Sequence, residues 1–181
     1  IAGVLVGFVC ALGASFRPQY ARVLGPMYAI AQGVVVGAIS RAYSIQYNGI
    51  VLQAVGATLG VFVAMLVMYR TGIIRVNDKF RRVVMSAMVG LLIFYFVSFL
   101  FNLLGANITF FNDASLLGIG FSIFVAGLAA ASLALDFDFI ERGEKEGLPK
   151  QMEWFAALGV VITLVWLYLE ILRLLSKLRD N

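Results

Sequence analysis

The chain has no histidine, and Cys10 is the single cysteine among its 181 residues. Without histidine it cannot build a histidine metal site or a Ser-His or Cys-His catalytic pair, and one cysteine forms neither an intrachain disulfide nor a cysteine zinc cluster. The remaining side chains offer no convincing pair of nucleophile and base. These absences predict a protein that is not an enzyme and that holds no cofactor.

Charged residues are also scarce. They make up 13% of the chain, against 62% for hydrophobic residues, and the mean hydropathy is +0.96. A soluble domain carries about 25% charged residues, so this chain has too few to cover a surface that faces water. We therefore predict an integral membrane protein in contact with the lipid bilayer. Its basic residues are spread over separate loops, which argues against a nucleic-acid partner.

The apolar residues fall into six segments separated by polar, Gly-containing or Pro-containing breaks. The later segments are each long enough for one tilted membrane-spanning helix, and their runs are continuous, unlike the alternating strands of a β-barrel. We predict an all-α, polytopic transmembrane helical bundle, forming a single transmembrane domain over residues 1–181. The first segment is too short to span, so we expect it to be the tail of a helix that begins before this sequence. The segments are 1–15, 26–44, 50–69, 83–105, 114–140 and 152–176.

Glycines four residues apart recur in two of these segments, at Gly33 and Gly37 and at Gly56 and Gly60. Such spacing lets helices approach closely. We expect these glycines to serve packing within the bundle rather than a specific dimer face.

Basic residues are shared unevenly between the breaks. Ten of them flank alternate breaks, and the positive-inside rule places that side in the cytoplasm. The other side carries Arg41 and, near the C-terminus, Arg173, Lys177 and Arg179. Either the last segment does not fully cross, or these charges are tolerated outside because the earlier loops fix the topology, and we favour the second. The ten basic residues are Arg17, Arg22, Arg70, Arg75, Lys79, Arg81, Arg82, Arg142, Lys145 and Lys150.

Three acids interrupt the last two segments: Asp136, Asp138 and Glu170. A charge in hydrocarbon is costly and is rarely left without a partner or a water-filled cavity. Asp136 and Asp138 are two residues apart, so they point to different sides of a helix. We expect Asp136 to face the interior, and Asp138, nearer the cytoplasmic end, to be wetted.

Glu170 allows two interpretations. Arg173 follows three residues later, and an i,i+3 ion pair would simply neutralise the charge. Alternatively, Glu170 faces Asp136 across two packed helices. Glu153 is a second candidate partner for Asp136, although a solvated acid at a helix start is the simpler explanation for it.

Four stretches of the chain resemble the Bax inhibitor-1 family, also called transmembrane Bax inhibitor motif proteins, and especially its bacterial YccA/YetJ-like branch. Together, in this order and spacing, they carry the resemblance over essentially the whole chain. The family has seven helices, which fits six visible segments and a missing first one. The stretches are PMYAIAQGVVVG at 26–37, IVLQAVGAT at 50–58, LDFD at 135–138 and LYLEILRLL at 167–175.

The resemblance implies a pH-sensitive calcium leak in a bacterial cytoplasmic membrane. Paired acids on the sixth and seventh helices of the family sense protons and gate the pore, and the motifs map them onto Asp136 and Glu170. The resemblance also implies an arginine partner, for which Arg17 is the nearest candidate. Two departures stand out, since Glu170 replaces the usual Asp and lies farther along the chain from Asp136 than the family pattern suggests.

Such a pair of acids would couple charge to structure. Two carboxylates held close in a low-dielectric site cannot both ionise easily, so they titrate as a unit. When both are ionised they repel each other and offer oxygens to a hard cation such as calcium. Our hypothesis is therefore that deprotonation opens the leak and protonation closes it.

Two other functions are compatible with the sequence. One is a non-conducting regulator that binds a membrane protease or another membrane complex, and the other is a proton-coupled carrier.

Overall fold

The computed structural model describes residues 2–104 and 115–180, and these residues are almost entirely helical. A single 3-10 turn, Pro18–Tyr20, accompanies the α-helices, and no strand occurs in the described ranges. The prediction of an all-α fold is confirmed. The helices are α1 (Ala2–Phe16), α2 (Ala21–Gln46), α3 (Ile50–Arg70), α4 (Asp78–Leu103), α5 (Leu116–Lys145) and α6 (Gln151–Asp180).

Five helical stretches in the described ranges are long and apolar enough to cross a membrane. They are α2 with the 3-10 turn before it, α3, α4, α5 and α6, whereas α1 is shorter. The structure thus agrees with the predicted polytopic bundle, in which the first segment is shorter than the candidate membrane spans.

The helix ends differ from the predicted segment ends by up to five residues, because several helices continue past the apolar runs into charged residues. Helix α2 begins five residues before Pro26 and accommodates that proline inside it. Helix α4 begins at Asp78 rather than at residue 83, because the Asn77 side chain accepts a hydrogen bond from the Phe80 backbone N–H and caps the charged first turn. Charged residues continue a helix well once they lie outside the hydrocarbon. Residues 105 and 114, which the prediction placed at segment ends, lie outside the described residues.

Helix α6 lies at the centre of the bundle. It packs against α2, α3 and α5, while α1 lies on α2 and α4 lies on α5. The largest group of buried apolar side chains joins α3, α5 and α6 through residues such as Ile50, Leu133 and Leu167. Helices α5 and α6 are therefore the best-buried pair, and they hold the three acids singled out from the sequence.

The end of α6 lies beside the turn between α2 and α3. The Tyr47 hydroxyl donates to the Asp180 carboxylate at 2.6 Å, and Arg179 donates to the Asn48 carbonyl at 2.8 Å and to Gln53 Oε1 at 2.9 Å. Helix α6 thus runs the full height of the bundle, which supports the second alternative for its basic C-terminal part. We call this end of the bundle the opposite end, and the end that carries Arg17, Arg75 and Lys150 the basic end.

The glycine pairs do not pack as expected. A Cβ added at Gly33, Gly37, Gly56 or Gly60 would meet no described atom within 4 Å, so these glycines create no close helix contact here. The close approach occurs instead at Gly7 of α1, where an added Cβ would stand 2.3 Å from Gln32 Nε2. Spacing alone cannot show which helix face meets a neighbour, and that is why the prediction chose the wrong glycines.

Candidate functional site

Asp136 lies in the second half of α5 and faces α6. Its Oδ2 atom is buried, and none of the described residues hydrogen-bonds that atom. The Thr163 hydroxyl of α6 faces the same carboxyl group, and a Cβ placed on Gly159 would stand 3.5 Å from Oδ1. Asp136 is therefore held against a neighbouring helix, and no described arginine or lysine forms an ion pair with it.

Helices α5 and α6 run antiparallel, and facing residues fix their register. Thr163 lies opposite Asp136, whereas Lys177 lies opposite Ser122 near the start of α5. Glu170 is seven residues from both Thr163 and Lys177, and seven residues of α-helix rise about 10 Å. The structure therefore separates Asp136 from Glu170 along the bundle. This register corrects the interpretation that the two acids face each other and could share one calcium ion.

Glu170 is buried in the second half of α6, with 4% of its surface exposed. Arg173 Nη1 donates to its Oε1 at 2.8 Å, so the ion pair that the i,i+3 spacing allows is present. Tyr95 of α4 lies close to both Glu170 and Arg173. The charge of Glu170 is thus balanced by an arginine of the same helix, and Tyr95 of α4 lies next to this ion pair.

Lys177 is the unexpected member of this region. Only 4% of its surface is exposed, and its Nζ donates to the Gly118 carbonyl at 3.0 Å and to Ser122 Oγ at 2.8 Å. Its place near the C-terminus predicted that it would lie among the charges outside the membrane. It turns inward instead, because the first turns of α5 offer it oxygen acceptors.

These buried polar side chains form a line. Thr163, Glu170 and Lys177 are all buried, and their seven-residue spacing places them on one face of α6. Ser122 and Asp136 face them from α5. We call these five residues the α5–α6 seam. Over the fourteen residues from Thr163 to Lys177 the seam extends about 20 Å along the bundle.

Asp138 also lies inside the protein, with 7% of its surface exposed. Arg81 of α4 donates from Nη2 to Asp138 Oδ2 at 2.7 Å, and Arg142 Nε lies 2.9 Å from the same oxygen. The prediction that Asp138 is wetted is therefore wrong. Asp136 and Asp138 do point to different sides of α5, but α6 covers one side and α4 covers the other.

Arg17 and Glu153 form no described ion pair with the acids of α5. Arg17 is exposed at the turn between α1 and α2, and it forms no ion pair with a described acid. Glu153 is exposed in the first turn of α6, ten residues before Thr163 and hence about 15 Å from it along the helix. Neither residue pairs with Asp136 in this arrangement.

Arg81, Thr163 and Lys177 were not predicted as site residues from the sequence. The seven-residue spacing from Thr163 through Glu170 to Lys177 is a signal that could have revealed the polar face of α6. Arg81 has no such local signal, because it reaches Asp138 from another helix, 57 residues away in the chain.

The arrangement also limits how a metal ion could bind. Among residues 2–104 and 115–180, no three His, Cys, Asp or Glu side chains gather to hold a metal ion. A calcium ion at Asp136 would therefore need hydroxyl, backbone carbonyl or water oxygens besides one carboxylate.

Comparison with known proteins bears on the identity of this bundle. No curated protein and no solved structure matches the chain. A family model described as Bax inhibitor 1 like does match, over residues 1–180, and this range includes all five residues of the α5–α6 seam. The chain therefore belongs to the Bax inhibitor 1-like family of membrane proteins.

Proposed function

We propose that this protein is a pH-sensitive leak for calcium or similar cations in a bacterial cytoplasmic membrane, and that protonation of Asp136 closes it. The state of Asp136 is the observation that supports the proposal. Arginines balance the charges of Asp138 and Glu170, whereas Asp136 forms no ion pair with a described residue and has a buried oxygen without a described hydrogen-bond partner. The charge of such an acid must be balanced by a proton, by water or by a mobile cation.

The proposed gate follows from the surroundings of Asp136. A protonated carboxyl group is neutral and can remain in the closed interface beside the Thr163 hydroxyl. A carboxylate in the same place is costly until water or a cation reaches it. Loss of the proton therefore favours a wider, wetter arrangement of α5 and α6. Calcium suits that arrangement, because it takes carboxylate, carbonyl and water oxygens.

Calcium flux into vesicles reconstituted with the purified protein tests this proposal. We expect faster flux in mildly alkaline than in mildly acidic buffer. Asp136→Asn, which is neutral at both pH values, should keep the flux at its low acidic level in both buffers. Glu153→Gln is the matched control, since it removes an exposed acid near the basic end and should leave the pH response unchanged.

Two results would contradict the leak. One is the absence of calcium flux in both buffers from a protein that remains folded, and the other is an Asp136→Asn variant with the pH response of the unmodified protein. Retention of the fold is checked by gel filtration and thermal unfolding in detergent.

One observation favours a second function, that of a non-conducting regulator bound to a membrane protease or another membrane complex. A pocket of about 530 Å³ lies where α5 ends and α6 begins, at the basic end. Apolar side chains such as Leu148 and Met152 line it together with the carboxylates of Glu144 and Glu153. If folded protein gives no flux, co-purification of a membrane complex that is lost with Leu148→Glu would support the regulator.

A further inference from the structure

The position of Lys177 on α6 does not require its side chain to be buried. Helix α6 continues only to Asp180, so the four-carbon side chain lies within a turn of the helix end. A lysine in this position usually extends its ammonium group outward to the membrane–water interface. Lys177 is instead buried and points across to α5.

The atoms that receive the ammonium group are of the kind that bind metal cations. Within the described ranges they include the Gly118 carbonyl oxygen at 3.0 Å and the Ser122 hydroxyl at 2.8 Å. Hard cations such as calcium take carbonyl and other neutral oxygens as ligands. The ammonium group of a lysine can occupy the same oxygens, but its positive charge is covalently attached to the helix and cannot diffuse away.

Lys177 also occupies one end of the only line of buried polar side chains that we trace between α5 and α6 in the described ranges. Asp136 and Thr163 lie toward the basic end of the α5–α6 seam, and Lys177 lies at the opposite end. A cation moving along the seam past Asp136 would therefore meet a fixed ammonium group about 20 Å farther on. Fixed positive charges in a narrow path exclude cations.

We infer that Lys177 is a tethered cation that closes the opposite end of the α5–α6 seam and sets a barrier to permeating metal cations, greatest for divalent ones. This inference rests on the proposed function, because it takes the seam as the cation path. It assigns selectivity to a residue other than Asp136, the proposed proton sensor. Calcium passage thus requires both proton release at Asp136 and displacement of the Lys177 ammonium group.

The test compares three permeants in vesicles that contain the full chain. Lys177→Met removes the charge and keeps a long side chain, Lys177→Arg keeps the charge, and Lys150→Met removes an exposed lysine at the basic end. We expect Lys177→Met to raise the initial calcium flux roughly tenfold, since a unit charge near the path changes the barrier by an amount of this order. Potassium flux should rise less, because repulsion grows with the charge of the ion, and mannitol entry should not change.

Lys177→Arg and Lys150→Met should both retain the calcium flux of the unmodified protein. Equal increases for calcium, potassium and mannitol would overturn the inference, because they would indicate a loosened bundle rather than a removed charge. An unchanged calcium flux in folded Lys177→Met would overturn it as well. If the Met variant does not fold, Lys177→Gln replaces it, since the amide can still donate to Gly118 and Ser122 without a charge.

The outcome separates this inference from the proposed function. If the unmodified protein shows no pH-dependent flux but Lys177→Met admits calcium more readily than potassium, the barrier is supported and gating by Asp136 is not. If the pH response is present and depends on Asp136 while Lys177→Met leaves calcium flux unchanged, the leak is supported and the barrier is rejected.

Discussion

At the scale of the residue, the three acids of α5 and α6 differ in how their charge is balanced. Asp138 has two arginines, Arg81 and Arg142, on one oxygen. Glu170 has Arg173 on its own helix, and Asp136 faces a hydroxyl instead of a cation. Only the environment distinguishes them, because all three stand in similar apolar sequence.

Replacing Arg81 tests the importance of the Asp138 ion pair. Arg81→Ala removes the only link of this carboxylate to α4 among the described ion pairs, and we expect the free energy of unfolding to fall by about 1 kcal/mol. The loss is modest because Arg142 remains and because Arg81 is partly exposed. Chemical denaturation in detergent measures it.

Arg82→Ala is the matched control for this substitution. Arg82 is exposed and donates to the Asp78 carbonyl of its own helix, so its removal should have little effect. Adding Asp138→Asn to Arg81→Ala should recover part of the loss, since it removes the buried charge that the arginine balanced. Equal stability of the Arg81 and Arg82 variants would show that the ion pair contributes nothing.

At the scale of the element, α4 depends on a few defined attachments. Among the described helices, α5 is its main neighbour. The two helices meet through a small apolar cluster that includes Val84, Leu91 and Val125. Its first turn, which carries Arg81, begins at the Asn77 cap. The placement of Arg81 beside Asp138 therefore depends on where this helix starts.

Removing the cap should weaken α4 from that end. We expect Asn77→Ala to lower the free energy of unfolding by about 1 kcal/mol, because the Phe80 N–H loses its side-chain acceptor. Asn77→Asp keeps an acceptor and should retain the stability of the unmodified protein. If thermal unfolding in detergent finds the Ala and Asp variants alike, the cap has no role in stability.

The helices could be predicted from the sequence, but their contacts could not. Long apolar runs reveal the spans because a bilayer requires about 20 apolar residues per helix, and all six segments correspond to helices. Local spacing also allowed the Glu170–Arg173 pair. The described partners of Asp136 and Lys177, and Arg81 beside Asp138, come from other helices, and composition does not encode which helix faces which.

At the scale of the whole molecule, successive helices run in alternating directions, so the basic turns lie together at one end of the bundle. The turn between α1 and α2, that between α3 and α4, and that between α5 and α6 share the basic end. The turn between α2 and α3 lies at the opposite end with the last turn of α6. Since positively charged loops remain in the cytoplasm, the basic end should face it.

Labelling with a thiol reagent that does not cross membranes tests this orientation. Cys10 is replaced by Ala as background, and Arg17, Arg75 and Asn48, which are all exposed, are replaced one at a time by Cys. We expect Cys at positions 17 and 75 to react only from the cytoplasmic side, and Cys at position 48 only from the other side. A membrane-permeant reagent should label all three, and reaction of all three from one side alone would contradict the fold.

The seven-residue spacing of Thr163, Glu170 and Lys177 has a mechanical consequence. Because the three residues share one face of a single helix, a rotation of α6 about its own axis moves all of them at once. One residue of helix corresponds to about 100°, so a fraction of that angle would turn the hydroxyl from Asp136, carry Glu170 and Arg173 past Tyr95 and draw the ammonium group from Ser122. The response to proton loss at Asp136 and the release of oxygens at the opposite end would then be one movement of a stiff rod, with no chain of intermediate side-chain changes between them.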